Sequence, residues 1–91
     1  MSSFRRLENR ILLRRMLSER GFSVRMHSYE YYIIKDKFVS VIFLEPEFNR
    51  VLVHKISWNP KNSSSAVKEI YSIIKEIDPS IEVYVEEDGE S

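Results

Sequence analysis

The chain has 91 residues, 43% of them hydrophobic, and its fourteen Lys and Arg balance fourteen Asp and Glu for a formal net charge of zero. That length holds one modest core, and no apolar run approaches the roughly 18–20 residues that cross a bilayer. The lack of Cys removes disulfides, thiolate chemistry and zinc–thiolate sites, and two Gly are too few for a phosphate loop or a dinucleotide fingerprint.

Ser3 stands where an N-cap belongs, ahead of a helix predicted over residues 4–20. Gly21 ends that helix as the residue that tolerates positive φ, and Phe22 folds back on the last turn. The apolar side chains of the helix form two stripes, Phe4/Leu7/Ile11 and Leu12/Leu13/Met16/Leu17. One must face the core; the other can meet a second subunit or widen the core face. Residues 22–27 then alternate apolar and polar, as a half-buried strand does. A second strand is predicted over 31–34, ending at the turn Lys35-Asp36-Lys37. Residues 38–44 are almost continuously apolar, the pattern of a central strand covered on both faces. The segment 45–50 turns the chain into a fourth strand over 51–58.

Residues 59–65 read as a loop that also supplies helix caps. Val67, Ile70, Tyr71, Ile74 and Ile77 then recur at helical spacing, which predicts a second amphipathic helix over 65–78. Asp78-Pro79 stops it, and 81–85 alternate as a last strand. The order α-β-β-β-β-α-β describes a single α/β (α+β) domain over 1–85, a central mixed sheet flanked by two helices, with a frayed acidic tail over 86–91. The first six residues lack the charge pattern, apolar stretch and cleavage site of a signal peptide, so a cytoplasmic protein without membrane contact is expected.

The balanced charge hides an asymmetry. Residues 1–37 carry nine bases against four acids, +5, and residues 38–91 carry five against ten, −5. Seven of the eight arginines fall in the first 25 residues. Arginine forks suit phosphate oxygens, so Arg5, Arg6, Arg10, Arg14 and Arg25 are the candidate nucleic-acid contacts. The same run also reads as a solvated helix face with Glu8 and Glu19 paired to nearby arginines.

The element order, Leu7-Glu8-Asn9 early in a basic helix, and its close at Ser18-Glu19-Arg20-Gly21-Phe22 resemble the restriction-endonuclease-like PD-(D/E)xK nucleases, above all the small archaeal Holliday-junction resolvases. The likeness spans roughly residues 4–85 and rests on topology and a few residues. It implies phosphodiester hydrolysis with Mg2+ or Mn2+, hard cations that take carboxylate ligands and generate hydroxide. Glu8 fits the family's acidic residue on the first helix. Glu30 stands at the aspartate position, preceded by Tyr29 instead of proline, and Glu45 closes the long apolar strand. The resemblance thus implies Glu8, Glu30 and Glu45 as catalytic carboxylates, with Glu30 and Glu45 on the metal. The motif lysine is absent, because Glu45-Pro46-Glu47 occupies the Glu-x-Lys position. Lys55 falls opposite Ser40 in a simple hairpin, too far back to replace it.

Each carboxylate has an ordinary structural role beside this one: Glu8 as a partner of helix arginines, Glu30 as an exposed strand residue, Glu45 and Glu47 as turn carboxylates. His27 and His54 lie in strands with no partner spacing, and strand aromatics mostly serve cores and cross-strand pairs. The expected function is a nucleic-acid-binding protein of nuclease-like fold for duplex or branched DNA. It would be either a divergent metal-dependent endodeoxyribonuclease or a catalytically silent relative that needs no cofactor. The alternative is a small dimeric protein-interaction module, an adaptor or inhibitor, joined through the spare stripe of the first helix and tested by Leu12→Glu. A small RNA-binding α/β domain is a third reading.

Overall fold

The computed structural model describes residues 3–87. A 3-10 turn, Ser3–Arg5, leads into α1 (Leu7–Glu19); β1 (Ser23–His27), β2 (Glu30–Lys35) and β3 (Phe38–Glu45) follow. A second 3-10 turn, Pro46–Phe48, precedes β4 (Arg50–Ser57), α2 (Pro60–Ile77) and β5 (Glu82–Glu87). The strands form one sheet in the order β1-β2-β3-β4-β5. The first four are an antiparallel meander, and β5 returns through α2 to lie parallel to β4. The expected α+β element order is therefore present as a single five-stranded mixed sheet with two helices. No helix among the described residues is long and apolar enough to cross a membrane.

Local chemistry accounts for most boundaries. Gly21 has φ +93°, and the amide of Phe22 donates to the Leu17 carbonyl at 3.1 Å, closing α1 as its glycine demands. Asn49, in the left-handed region at φ 52°, ends the second 3-10 turn. Two starts differ from the sequence expectation. Ser3 does not cap α1: Arg6 holds the cap position without a side-chain bond, and the Ser3 amide donates to Asp78 Oδ2 at 3.0 Å. The α2 helix begins at Pro60, five residues earlier than its apolar spacing suggests. The Asn59 side chain accepts from the Lys61 amide at 2.8 Å, and a proline in the first turn needs no helical donor. Glu86 and Glu87 belong to β5 and do not fray; the rest of the expected acidic tail, 88–91, lies outside the described residues.

Both helices cover the same face of the sheet. Leu13 and Leu17 of α1 and Ile70, Ile73 and Ile74 of α2 share one core with Tyr31, Ile33, Phe38, Ile42, Leu44, Val51 and Val53. Phe4 and Ile81 close its end. Of the two stripes on the first helical segment, the one containing Leu13 and Leu17 faces this core. Phe4 is buried by its 3-10 turn, whereas Leu7 and Ile11 are exposed. Leu12 is half-buried. The continuous apolar pattern of β3 matches its central place, but only one of its faces carries helices. Its other face, with Val39, Val41 and Phe43, belongs to a layer with no helix above it. The sequence expectation of double cover is corrected here. Val41 and Phe43 are shielded by neighbouring strands instead of a helix, which hydropathy along one strand does not distinguish.

Candidate functional site

The arginines proposed as phosphate contacts fall into three environments. Arg5, Arg6 and Arg14 are exposed along the first helical segment, together with Arg15 and Arg20. Among the described residues only Arg6 of these five forms an ion pair, with Glu8 at 2.8 Å, and both side chains are largely in solvent. A pair that exposed contributes little to stability, so it leaves the guanidinium free to exchange partners.

Arg10 differs. Its Nη1 donates to the Phe4 and Arg5 carbonyls at 2.9 and 3.0 Å, and its guanidinium carbon lies 4.2 Å from the centroid of the Tyr29 ring. The Tyr31 hydroxyl donates to the Arg10 carbonyl at 2.8 Å. Arg10 therefore clamps the 3-10 turn onto α1 and the sheet, and its planar group is already occupied. Arg25 is exposed on β1, but it alternates with the inward Val24 and Met26 and so lies on the uncovered face of the sheet. The structure does not gather the five arginines on one surface.

The three glutamates also separate. Glu8 sits in the first turn of α1, on the helical side. Glu30 and Glu45 alternate with the core residues Tyr31 and Leu44, which directs them to the opposite face. Each has a local partner. The Tyr32 hydroxyl donates to Glu30 Oε1 at 3.0 Å, a bond that raises the Tyr32 pKa. Arg50 Nε donates to Glu45 Oε1 across the β3–β4 pair, and this bond holds the Arg50 pKa above its ordinary value. Glu30 pairs with Phe43, so Glu45 lies two residues beyond it along β3. Among the described residues no three His, Asp or Glu groups are placed to hold a metal ion. The donor set implied by the resemblance therefore does not fit one Mg2+ or Mn2+ centre, whose oxygen ligands must converge within about 2.0–2.6 Å of a single point.

The corner around Glu45 is nevertheless a cleft, of about 380 Å³, lined in part by Arg5, Tyr29, Glu45, Glu47 and Phe48. It brings one predicted arginine beside one predicted glutamate because the two 3-10 turns pack together. Lys55 stays away from it, pairing with Ser40 as a simple hairpin requires. Its side chain is nearly buried on the helical side, 3.2 Å from Glu87 Oε2 and 4.6 Å from the Trp58 ring centroid.

The sequence reading passed over two surfaces. Arg15 is exposed about 100° around α1 from Arg14, and Arg20 is exposed because it caps the end of the helix, although a helical projection sets it beside the core residue Leu13. The uncovered sheet face carries Tyr32, Ile34, Ile56 and Tyr84, each 44–49% exposed. Its trace in the sequence is a strand such as Tyr31-Tyr32-Ile33-Ile34, apolar at both parities. Comparison with family models, curated proteins and solved structures finds no match for this chain.

Proposed function

We propose that the chain is a nucleic-acid-binding protein of nuclease-like fold that grips phosphates with the arginines of its first helical segment and does not cleave. One observation carries the reading. Arg5, Arg6, Arg14, Arg15 and Arg20 stand exposed along that segment, and only Arg6 among them is in an ion pair among the described residues. Such a surface releases counterions from a duplex irrespective of sequence. The silent form of this reading is supported by the separation of Glu8 from Glu30 and Glu45 by the sheet, and by the glutamate at position 47 where the resemblance calls for lysine.

The test is fluorescence anisotropy on duplex and four-way-junction DNA across a salt series. Each phosphate contact contributes a slope of about 0.9 in log K against log salt, so Arg14→Gln/Arg15→Gln should lower the slope by about 1.8. Arg25→Gln, on the other side of the molecule, should leave it unchanged. Undetectable binding at low salt, or an equal loss from Arg25→Gln, refutes the reading. Cleavage of either DNA with Mg2+ or Mn2+ refutes its silent form. The second reading is a dimeric interaction module; its interface is expected from sequence on the first helix, where Leu12 is half-buried in the stripe that faces the core, and the uncovered sheet face supports it better.

A further inference from the structure

The uncovered face is ordered from edge to edge. The pairing registers set Arg25, Tyr32, Val41, His54 and Glu86 side by side in one row across β1 to β5. The two middle contacts of that row are apolar or aromatic. Its ends carry opposite charges, and His54 Nδ1 lies 3.6 Å from Glu86 Oε1. The neighbouring row sets Phe43 at the centre, with Leu52 and Tyr84 on the β5 side. The His27 ring stands edge-on to Tyr32 at 6.0 Å, so the aromatic strip reaches the β1 edge.

We propose that this face is the interface of a homodimer whose two-fold axis runs parallel to the strands, above β3. A sheet face can meet its own copy only about an axis lying in the plane between the two sheets. An axis parallel to the strands reverses the edge-to-edge order. It lays β1 of one protomer over β5 of the other, Arg25 over the partner's Glu86 and Tyr32 over the partner's His54, while Val41 and Phe43 meet their own copies. An axis perpendicular to the strands and running along this row would stack arginine on arginine and glutamate on glutamate. The charge order of the row selects the first.

Three further points favour a second copy over other occupants. Acids outnumber bases on this face, with Glu30, Glu45, Glu82 and Glu86 against Arg25 and Arg50, which disfavours a phosphate-bearing ligand. Five strands about 4.8 Å apart and six residues of about 3.3 Å give roughly 24 by 20 Å. Two such faces bury roughly 1,000 Å², near the lower bound of a specific interface. Aligned sheet-on-sheet packing about 10 Å apart is also a standard solution for an antiparallel face rich in apolar side chains. The least favourable placements are Glu45, which the axis sets over its own copy and whose charge Arg50 offsets, and Glu30, set above the partner's Leu52. The helices remain outside, so the dimer forms without the arginine surface and its test needs no nucleic acid.

Light scattering on the full chain should give twice its 10.9 kDa mass at micromolar concentration. Arg25→Glu places like charges at both ends of the interface and should raise the dimer dissociation constant at least about tenfold. Glu86→Arg should do the same. The double variant Arg25→Glu/Glu86→Arg should restore it to within about threefold of the original. Both positions are exposed, and circular dichroism checks that each variant folds. A chain that stays monomeric at roughly 100 µM overturns the proposal. So does a dimer indifferent to Arg25→Glu, or one disrupted by Ile11→Glu on α1 instead. A dimer broken by both single changes but not rescued by the pair overturns the strand-parallel axis.

Discussion

Tyr31 joins the two layers of the molecule at one atom, and replacing it with Phe tests that joint. The ring is fully buried, and its hydroxyl donates to the Arg10 carbonyl in α1 at 2.8 Å. Tyr31→Phe keeps the ring and removes one neutral hydrogen bond. A carbonyl inside a helix also accepts the amide four residues on, so nothing is left wholly unsatisfied. The loss should be about 1 kcal/mol at pH 7, read as a shift of the urea midpoint without a change in slope. Above pH 10 a second effect enters. Burial pushes the phenol pKa above its ordinary value, although Arg10 and Arg14 pull it down. The folded state then keeps its proton while the unfolded chain loses it. Stability is complete below the unfolded pKa near 10 and falls as pH rises towards the folded value. At pH 11 this loss is about 1.4 kcal/mol relative to pH 9, and Tyr31→Phe should lack it. Tyr32 and Tyr84 are also raised, by hydrogen bonds to Glu30 and Glu82, but both remain in the variant, so the difference isolates Tyr31. Equal alkaline losses in the two proteins would refute the argument.

Gly21→Ala should cost about 1 kcal/mol, because φ +93° penalises any Cβ and the new methyl would also meet Lys35 Cε at 3.4 Å. Thermal unfolding reads this as a lower Tm with unchanged helix content. Lys55→Met should leave stability level or raise it by about 1 kcal/mol, since an apolar chain replaces a nearly buried ammonium on the core side of β4. Glu87→Gln should instead lower stability by stripping that ammonium of its carboxylate. If Lys55→Met is the more damaging of the two, the ion pair carries net stability and the argument fails.

How far the sequence reaches is visible residue by residue. Gly21 and Asp78-Pro79 punctuate helices through backbone sterics, and both helices end within a residue or two of these marks. The strands followed from alternation, and the Lys55–Ser40 register followed from a short hairpin around Pro46–Phe48. The start of α2 was missed because Pro60 to Ser65 lack apolar spacing, while the cap at Asn59 works whatever the side chains that follow. Arg10 looked like its neighbours in charge. Only its stacking on Tyr29 and its bonds to the carbonyls of the 3-10 turn convert it from a surface cation into a clamp.

The sequence by itself determined the element order, the single-domain scale and the gathering of arginine in the first quarter of the chain. Those properties are local: periodicity, punctuation and composition are set by neighbours along the chain. The tertiary structure alone decided that α1 and α2 lie on one face of the sheet. That choice buries Leu13, Leu17 and Ile70 together. It also puts Glu8 across the sheet from Glu30 and Glu45, and leaves the row from Arg25 to Glu86 without a helical cover. Strand hydropathy could not foretell it, because a central β-strand shields its own apolar side chains between neighbouring strands whether or not a helix lies above.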